Sequence, residues 1–329
     1  TLTDLPERVR VWRGLLEKYP GARGIQYFSA LASLDSGDTA AARSLFVQSS
    51  EGLSEDPSFM ALLGTALLKV GEPPKAIQLF LQALKLDPDR TGYVRPFLLD
   101  AYEKIGDFQF LKTLALELLA ETPNDFGICI CLDTALTKLG ESSHELQIWR
   151  DLSVAHPESA PIRFHLGVAL KDSGDNAGAV ECLLRAKSLD LNSAPLMAQT
   201  GLLLAELGQT DQAVELMRDA LARDPEKCGF VRFTLAEMLE KAGDMTDVES
   251  LLRDSLKSDA MNMAAYKKLD AELLRKGDSM HRIAVWREIV ADYSDNPLAQ
   301  YGYAKILGET GDAEGSLEAL RKAAAKPVE

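Results

Sequence analysis

A glycine followed by an acidic or amide residue recurs nine times along the 329-residue chain, at intervals of 34 or 35 residues. A fixed period of this length indicates a stacked array of small units rather than a single globular core. The chain is therefore expected to fold as a repeat protein. The nine glycines are Gly37, Gly71, Gly106, Gly140, Gly174, Gly208, Gly243, Gly277 and Gly311.

Each repeat has the pattern of two amphipathic helices joined at the glycine. In the second repeat, apolar residues at helical spacing occupy positions 62–70 before Gly71 and positions 76–84 after it. Pro88 follows, and proline disfavours helix in the residue before it. Because a single hairpin cannot bury the apolar stripes of both helices, each hairpin is expected to stack on its neighbours.

This pattern resembles the tetratricopeptide repeat (TPR) family. The resemblance implies an all-α fold, an α-solenoid coiled as a right-handed superhelix of about nine TPR-like helix-turn-helix repeats. Residues 22–329 are expected to form these repeats as a single solenoid, and residues 1–21 a capping N-terminal helix, the second helix of a partial repeat. The resemblance is fullest at Leu63, Gly64, Leu67, Gly71, Ala76, Phe80, Ala83 and Pro88, and again at Gly201, Leu204, Gly208, Ala213, Ala220 and Pro225.

Two pairs of small residues predict where the helices of a hairpin come closest. Gly64 is expected to lie against Ala76, and Gly201 against Ala213, since residues of this size let two helices approach closely. Replacing Gly201 with a large residue is therefore expected to destabilise the chain by roughly 1–3 kcal/mol.

A longer period of 137 residues lies on top of the shorter one. Trp12, Trp149 and Trp286 are separated by this interval, and each is followed by arginine. Four repeats therefore form a duplicated block. The same interval separates Asp133 from Asp270, which occupy the position where other repeats have a glycine at the close helix contact.

A carboxylate at a close helix contact is expected to be buried, and a buried carboxylate needs a partner. The residues across the hairpin supply basic or protonatable groups at the matching position. We therefore expect internal pairs in both copies of the block. The candidate partners are His144 or Glu145 for Asp133, and Arg282 or His281 for Asp270.

Odd and even repeats differ at the fourth and fifth residues of the first helix. Odd repeats carry arginine or an aromatic residue there, whereas even repeats carry mostly small or apolar residues. In the TPR family the first helices line the concave face, so the odd-repeat residues are expected in a groove that binds a partner. The predicted partner-binding residues are Tyr27, Tyr93, Arg95, Arg163, Phe164, Phe230, Arg232, Phe233 and Tyr301.

Two roles are consistent with these residue types. Aromatic rings in a groove stack on a ligand, and arginines bind carboxylates through paired N–H donors. Alternatively, the aromatic side chains fill the core between repeats and the arginine stems cover it. In the TPR family the fourth residue is often an aromatic packed inside the hairpin, so arginine there favours a binding role. The lysine and asparagine clamp that some TPR proteins use for chaperone carboxyl termini does not appear in the sequence.

Composition and charge disfavour several classes of function. The 50 acidic and 36 basic residues give a formal charge of −14, which disfavours nucleic acid and anionic membrane surfaces as partners. No run approaches the ~20 uncharged apolar residues of a membrane helix, so membrane insertion is not expected. The four cysteines lack disulfide or zinc spacing and are expected to be small buried hydrophobes.

No enzymatic motif stands out either. Gly140-x-Ser142-x-His144 and Gly277-x-Ser279-x-His281 fall on turns between helices, whereas a nucleophile elbow needs a preceding strand. The sequence contains four histidines but no HExxH, paired-cysteine or nucleotide-binding motif. We therefore expect no metal, no cofactor and no catalytic activity.

The sequence thus predicts a non-catalytic TPR scaffold that binds a protein or peptide partner in its concave groove for complex assembly. Two alternatives stay open: the TPR region of a larger enzyme, such as a glycosyl- or sulfotransferase, and a periplasmic scaffold for polysaccharide export. Sparse cysteines and the lack of a glycosylation sequon favour the cytoplasm, although a bacterial periplasm has a similar composition. Leu317 and Leu320, with no polar helix before Lys326-Pro327, predict self-association through the C-terminal helix.

Overall fold

The computed structural model describes residues 4–51, 56–189 and 193–325, apart from the side chains at positions 142 and 143. Within these ranges the regular structure is helical, and no strand occurs. The predicted all-α fold is confirmed. The chain divides into two compact units, Thr1–Leu152 and Ser153–Glu329.

In its described part, the first unit consists of an N-terminal helix and four helix pairs, with a short helix between the second and third pairs. The boundary with the second unit falls within the last of these helices. The helices are α1 (Leu5–Lys18), α2 (Arg23–Asp35), α3 (Thr39–Ser50), α4 (Pro57–Lys69), α5 (Pro73–Leu86), α6 (Pro88–Thr91), α7 (Arg95–Ile105), α8 (Phe108–Glu121), α9 (Phe126–Leu139) and α10 (Ser142–Ala155).

The second unit contains five further helix pairs within residues 153–189 and 193–325. Its helices are α11 (Ala160–Asp172), α12 (Asn176–Ser188), α13 (Ala194–Glu206), α14 (Thr210–Arg223), α15 (Arg232–Ala242), α16 (Val248–Ser258), α17 (Met263–Lys276), α18 (Ser279–Asp292), α19 (Pro297–Glu309) and α20 (Ala313–Ala324). In each unit, the first helix of a pair ends at one of the repeated glycines and the second begins just after it.

The nine repeated glycines make the turns within the helix pairs. All nine adopt left-handed backbone angles, with φ between 70° and 90°. Residues with a side chain are strained at these backbone angles. Glycine has no Cβ and therefore ends the first helix at little conformational cost. In five pairs the aspartate that follows the glycine caps the second helix: Asp107 Oδ1, for example, accepts a 3.1 Å hydrogen bond from the backbone N–H of Phe110. The predicted helix–glycine–helix hairpin is confirmed.

The two helices of a pair come closest at small residues. At Gly201, on α13, an added Cβ would lie 3.2 Å from the carbonyl oxygen of Ala213, the predicted neighbour. At Gly64, on α4, the nearest atoms belong to the Phe80 ring, 2.6 Å from such a Cβ. Phe80 lies one turn further along α5 than the predicted Ala76, and its longer side chain reaches back to the contact.

The first helices α7 and α15 begin later than the sequence pattern predicts. A 3-10 turn, Gly92–Val94 or Gly229–Val231, precedes each helix and takes up the residues expected in its first turn. In α7, Pro96 has no N–H with which to extend the α-helical ladder towards the N-terminus. The predicted binding residues affected are Tyr93 and Phe230, which lie on the 3-10 turns, and Arg95 and Arg232, which are the first α-helical residues.

The two terminal helices differ in how much of their apolar surface is covered. The Trp12 ring of α1 stacks on Phe28 of α2 with ring centroids 5.0 Å apart, so the N-terminal helix packs on the first pair. In α20, Leu317 and Leu320 are 50% and 41% exposed. Positions 326–327 lie outside the described residues. Self-association through α20 stays a prediction.

Candidate functional site

The three arginines of the predicted binding set form hydrogen bonds within the chain. Arg95 Nη1 lies 2.7 Å from Glu121 Oε2 on α8. Arg163 and Arg232 each donate to the carbonyl oxygen of the proline in the preceding loop, at 3.5 Å and 2.7 Å. These guanidinium groups therefore hold local structure together, and their role in partner binding stays a prediction.

Three of the predicted aromatic residues contribute to packing. Tyr27 is half-buried, with its ring centroid 5.7 Å from that of Phe46 and 5.6 Å from that of Phe59. Phe164 is only 5% exposed, and Phe233 is half-buried. The geometry of these three residues matches the alternative in which aromatic side chains fill the space between repeats.

The other three predicted aromatic residues are exposed. Tyr93 and Phe230, on the 3-10 turns, retain 51% and 46% of their accessible surface, and Tyr301 on α19 retains 60%. Tyr93 belongs to the first unit, whereas Phe230 and Tyr301 belong to the second. Of these three, Tyr301 lines a pocket, which is described below.

The first unit also exposes apolar residues that the predicted set did not include. Phe28, Leu62 and Phe97 are 47%, 48% and 40% exposed, each nine residues before the turn glycine of its repeat. Ile130 is 42% exposed at the neighbouring position on α9. Phe28, Leu62 and Phe97 are at equivalent positions and therefore present the same helix face, and Ile130 lies about 100° around α9 from that position. We call these four residues, on α2, α4, α7 and α9, the apolar row.

Lysines accompany the apolar row on three of its four helices. Lys69, Lys104 and Lys138 are exposed about two helical turns further along α4, α7 and α9, and thus on the same face. Lys104 also pairs with Asp100 at 2.8 Å, and Asp35 takes the equivalent position on α2. The flank of the apolar row therefore carries three lysines, one of them ion-paired, together with the carboxylates of Asp35 and Asp100, in a chain whose whole charge is −14.

The second unit contains a pocket of about 270 Å³ between α17 and α19. Tyr266 of α17 and Trp286 of α18 stack in its wall with ring centroids 5.7 Å apart. An added Cβ at Gly302 of α19 would overlap the Trp286 ring, so the indole reaches this position only because residue 302 has no side chain. The other lining residues are Met263, Lys267, Asp270, Leu298, Tyr301 and Lys305.

A cluster of four charged side chains borders this pocket. Arg282 donates to both oxygens of Asp270, from Nε at 2.7 Å and from Nη2 at 2.9 Å, and its Nη1 donates to Glu309 at 2.7 Å. Lys305 Nζ lies 3.3 Å from Asp270 and 3.7 Å from Glu309. Burial alone would lower the pKa of Arg282, but the bonds to the two carboxylates raise it overall. The predicted pairing of Asp270 with Arg282 is confirmed.

His281, the other candidate partner of Asp270, bonds to Glu249 of α16 instead. Its Nε2 lies 3.0 Å from Glu249 Oε1, and Lys276 Nζ lies 2.5 Å from Glu249 Oε2. Burial alone would raise the pKa of Glu249, but the bonds from Lys276 and His281 lower it overall. These contacts join neighbouring hairpins. The equivalent pairing of Asp133 stays a prediction.

The four cysteines are free thiols that lie at least partly inside the fold. Cys129 and Cys228 are buried, and Cys131 and Cys182 are half-buried. Burial raises the pKa of all four thiols, and that of Cys131 to about 11. The thiolate is the reactive form of cysteine, so these environments suppress nucleophilic chemistry. Their description as small buried hydrophobes holds fully for Cys129 and Cys228.

Residues 4–51, 56–189 and 193–325 contain neither a membrane-spanning helix nor a metal-ligand cluster. In those ranges, no helix is long and apolar enough to cross a membrane. No group of three or more His, Cys, Asp or Glu side chains there is arranged to hold a metal ion. The Ser142 side chain lies outside the described part, and Ser279 begins α18 directly after a helix-to-helix turn, as predicted.

Three protein-family models match the sequence, and each is described as a tetratricopeptide repeat. They cover residues 29–91, 160–193 and 204–273, together about half of the chain. Each matched segment contains at least one of the turn glycines.

Two characterised relatives come from the bacterium Komagataeibacter xylinus. The chain is 27% identical to cellulose synthase 2 operon protein C over 219 aligned residues. This alignment covers 60% of this chain and 16% of that protein. It is 24% identical over 251 residues to cellulose synthase 1 operon protein C, covering 72% of this chain and 19% of that protein. The chain thus spans less than a fifth of the length of these relatives.

A solved structure with a similar fold is that of a thermophilic TPR protein from Thermus thermophilus. It has a TM-score of 0.40 and 23% identity, and covers 56% of this chain and 99% of that one. The family assignment rests on the regular glycine spacing, the helix pairs in both units and the three matching family models. This chain belongs to the tetratricopeptide repeat family.

Proposed function

We propose that the chain is a non-catalytic scaffold that binds an acidic segment of a protein partner along its first helices. The observation that carries this proposal is the apolar row of Phe28, Leu62, Phe97 and Ile130, each at least 40% exposed. Apolar side chains exposed at the same or the neighbouring position of successive first helices are typical of an interaction surface. Lys69 and Lys138, which are exposed beside the row, are the groups that carboxylates of a partner would reach.

The repeat geometry sets the spacing of the partner's side chains. Packed helices lie about 8–10 Å apart, and a peptide in the extended polyproline II conformation advances about 3.1 Å per residue and presents every third side chain on the same side. About every third residue of the peptide would therefore place its side chain against the next first helix of the array. The expected ligand is an extended segment with apolar residues at that spacing and Asp or Glu between them. Several weak contacts of this kind add up along an array.

We expect the double variant Leu62→Ser, Phe97→Ser to bind such peptides at least tenfold more weakly than the wild type. Each substitution removes an apolar contact from the middle of the row, and the loss of two contacts of about 1 kcal/mol each exceeds a tenfold change. Peptides would be selected from a phage-displayed library on the wild-type chain. Their dissociation constants would then be measured by fluorescence anisotropy.

The matched control is Leu81→Ser, Leu86→Ser on α5, which replaces two leucines that are 43% and 57% exposed on a second helix. This control should bind the selected peptides as the wild type does, and circular dichroism should show that both variants keep their helix content. Equal binding by the row variant and the wild type would refute the proposal. So would a selection that enriches no acidic, apolar sequences.

A second candidate function is suggested by the relatives alone. Both are named as proteins of a cellulose synthase operon, and the match extends over 60% and 72% of this chain. The chain would then be the TPR part of a larger protein in polysaccharide synthesis or export. This candidate predicts that the chain co-sediments with bacterial cellulose or binds cello-oligosaccharides in calorimetry. Absence of both interactions would leave the peptide scaffold as the supported function.

A further inference from the structure

We propose that the pocket between α17 and α19 receives one aromatic or branched aliphatic side chain of an acidic peptide. Carboxylates on the neighbouring peptide residues would meet Lys267 and Lys305 at its edge. This inference rests on the proposed peptide-binding function and adds a subsite in the second unit, separate from the apolar row.

The size of the pocket favours a single side chain. Its volume of about 270 Å³ is just below the range of roughly 300–1,000 Å³ that holds a drug-sized ligand. Tyr266 and Trp286 in its wall are 4% and 2% exposed, whereas Met263 and Tyr301 are 50% and 60% exposed. The two buried rings offer no open platform on which a sugar could stack. An apolar side chain that inserts between the exposed residues would cover all four.

An internal comparison explains why the pocket has an aromatic wall at Gly302. The residue 274 positions before Gly302 is Phe28, which stacks on Trp12, the counterpart of Trp286, at 5.0 Å with 18° between the ring planes. The residue 137 positions before Gly302 is His165, which is 4% exposed. Two copies of the block thus supply their own ring at this position. The third copy has glycine at this position, and there the Trp286 indole of the chain itself lies against residue 302 and forms part of the pocket wall.

The charges around the pocket favour acidic neighbours for the inserted side chain. Three cations, Lys267, Arg282 and Lys305, face two carboxylates, those of Asp270 and Glu309, so the local balance is one positive charge. Arg282 donates hydrogen bonds to both carboxylates from three nitrogen atoms. Lys267 is exposed, and Lys305 keeps 51% of its side-chain surface. These two lysines are the groups that an incoming carboxylate would reach.

The test is a nuclear magnetic resonance titration of the full chain with a nine-residue Gly/Ser peptide that carries one central Phe flanked by Asp. The indole N–H of Trp286 is the reporter, and those of Trp12 and Trp149 are internal references. We expect a selective shift of the Trp286 resonance. Replacing the Phe by Ser, or the flanking Asp by Lys, is expected to weaken binding at least tenfold, because the first removes the apolar contact and the second repels the lysines.

Two variants of the chain test the same contacts from the other side. Tyr301→Ala and Lys267→Glu alter exposed residues and leave the buried aromatic pair and the Arg282 cluster in place. Each variant is expected to raise the dissociation constant for the peptide about three- to tenfold. Tyr19→Ala and Lys85→Glu, which change an exposed tyrosine and an exposed lysine of the first unit, are the matched controls and should bind as the wild type does.

The outcomes separate this inference from the proposed function. The pocket assignment would be refuted, and the scaffold proposal left intact, if the Trp286 resonance does not shift with the peptide while binding of the library-selected peptides still requires Leu62 and Phe97. A selective Trp286 shift with no effect of the apolar-row variant would support the pocket and refute the role of the row. Equal binding of the Ser or Lys peptide, or equal shifts of all three indoles, would overturn the pocket assignment.

Discussion

Replacing Arg282 with methionine is expected to lower the free energy of unfolding by about 3–5 kcal/mol, as measured by urea denaturation followed by circular dichroism. Asp270 is 8% exposed and receives two of its hydrogen bonds from this guanidinium, at 2.7 Å and 2.9 Å. Without Arg282, the carboxylate would be left buried with only Lys305 beside it, at 3.3 Å. An uncompensated buried charge is among the costliest defects that a single substitution can create.

Two further variants distinguish the cost of an unpaired charge from the loss of side-chain packing. Removing both charges, by Asp270→Leu with Arg282→Met, should recover most of the lost stability, since a buried ion pair is often replaceable by apolar residues. Lys305→Met removes a cation that is 51% exposed, and an exposed pair contributes only about 0–1 kcal/mol. A loss below about 1 kcal/mol for Arg282→Met would show that solvent reaches the Asp270 carboxylate and replaces the lost hydrogen bonds.

Replacing Gly201 with leucine is expected to destabilise the chain by roughly 1–3 kcal/mol. A Cβ at this position would lie 2.9 Å from Met217 Cγ and 3.2 Å from the carbonyl oxygen of Ala213. The Met217 side chain can shift, but the backbone oxygen cannot, so α13 and α14 must separate. Separation of the pair removes buried apolar area from both helices.

The matched control is Gly14→Leu in the middle of α1, where no atom lies within 4 Å of an added Cβ. There the change removes a poor helix former without a clash, and a gain of about 0.5–1 kcal/mol is expected. Both variants would be compared with the wild type by urea denaturation. An unchanged midpoint for Gly201→Leu would mean that the closest approach of α13 and α14 lies elsewhere.

The repeat architecture could be predicted because its causes are local. A glycine with positive φ and an acidic cap at the next residue end one helix and start another, and both features are visible in the sequence around Gly106. The later start of α7 was missed, since the 3-10 turn at Gly92–Val94 has no equally clear sequence signal. Glycine spacing therefore predicted the hairpins better than it predicted their first residues.

The candidate sites could be predicted only in part. The choice between Arg282 and His281 as the partner of Asp270 depends on the rotation of α18, because successive residues on a helix point about 100° apart. The step of about 100° between successive residues also explains why Tyr27 on α2 is half-buried while the next residue, Phe28, is 47% exposed. The pocket had one signal in the sequence, Gly302 at a position where the other copies have Phe28 and His165.

The sequence by itself determined the repeat length, the helical hairpins, the turn glycines and the residue types available for binding. These properties depend on backbone conformation and hydrogen bonds within a few residues, which the local sequence encodes. Only the tertiary structure decided which face of each first helix is exposed, which cation pairs with Asp270 and where Trp286 leaves a pocket beside Gly302. Exposure and pairing depend on side chains contributed by neighbouring helices, and a single position in the sequence does not specify those neighbours.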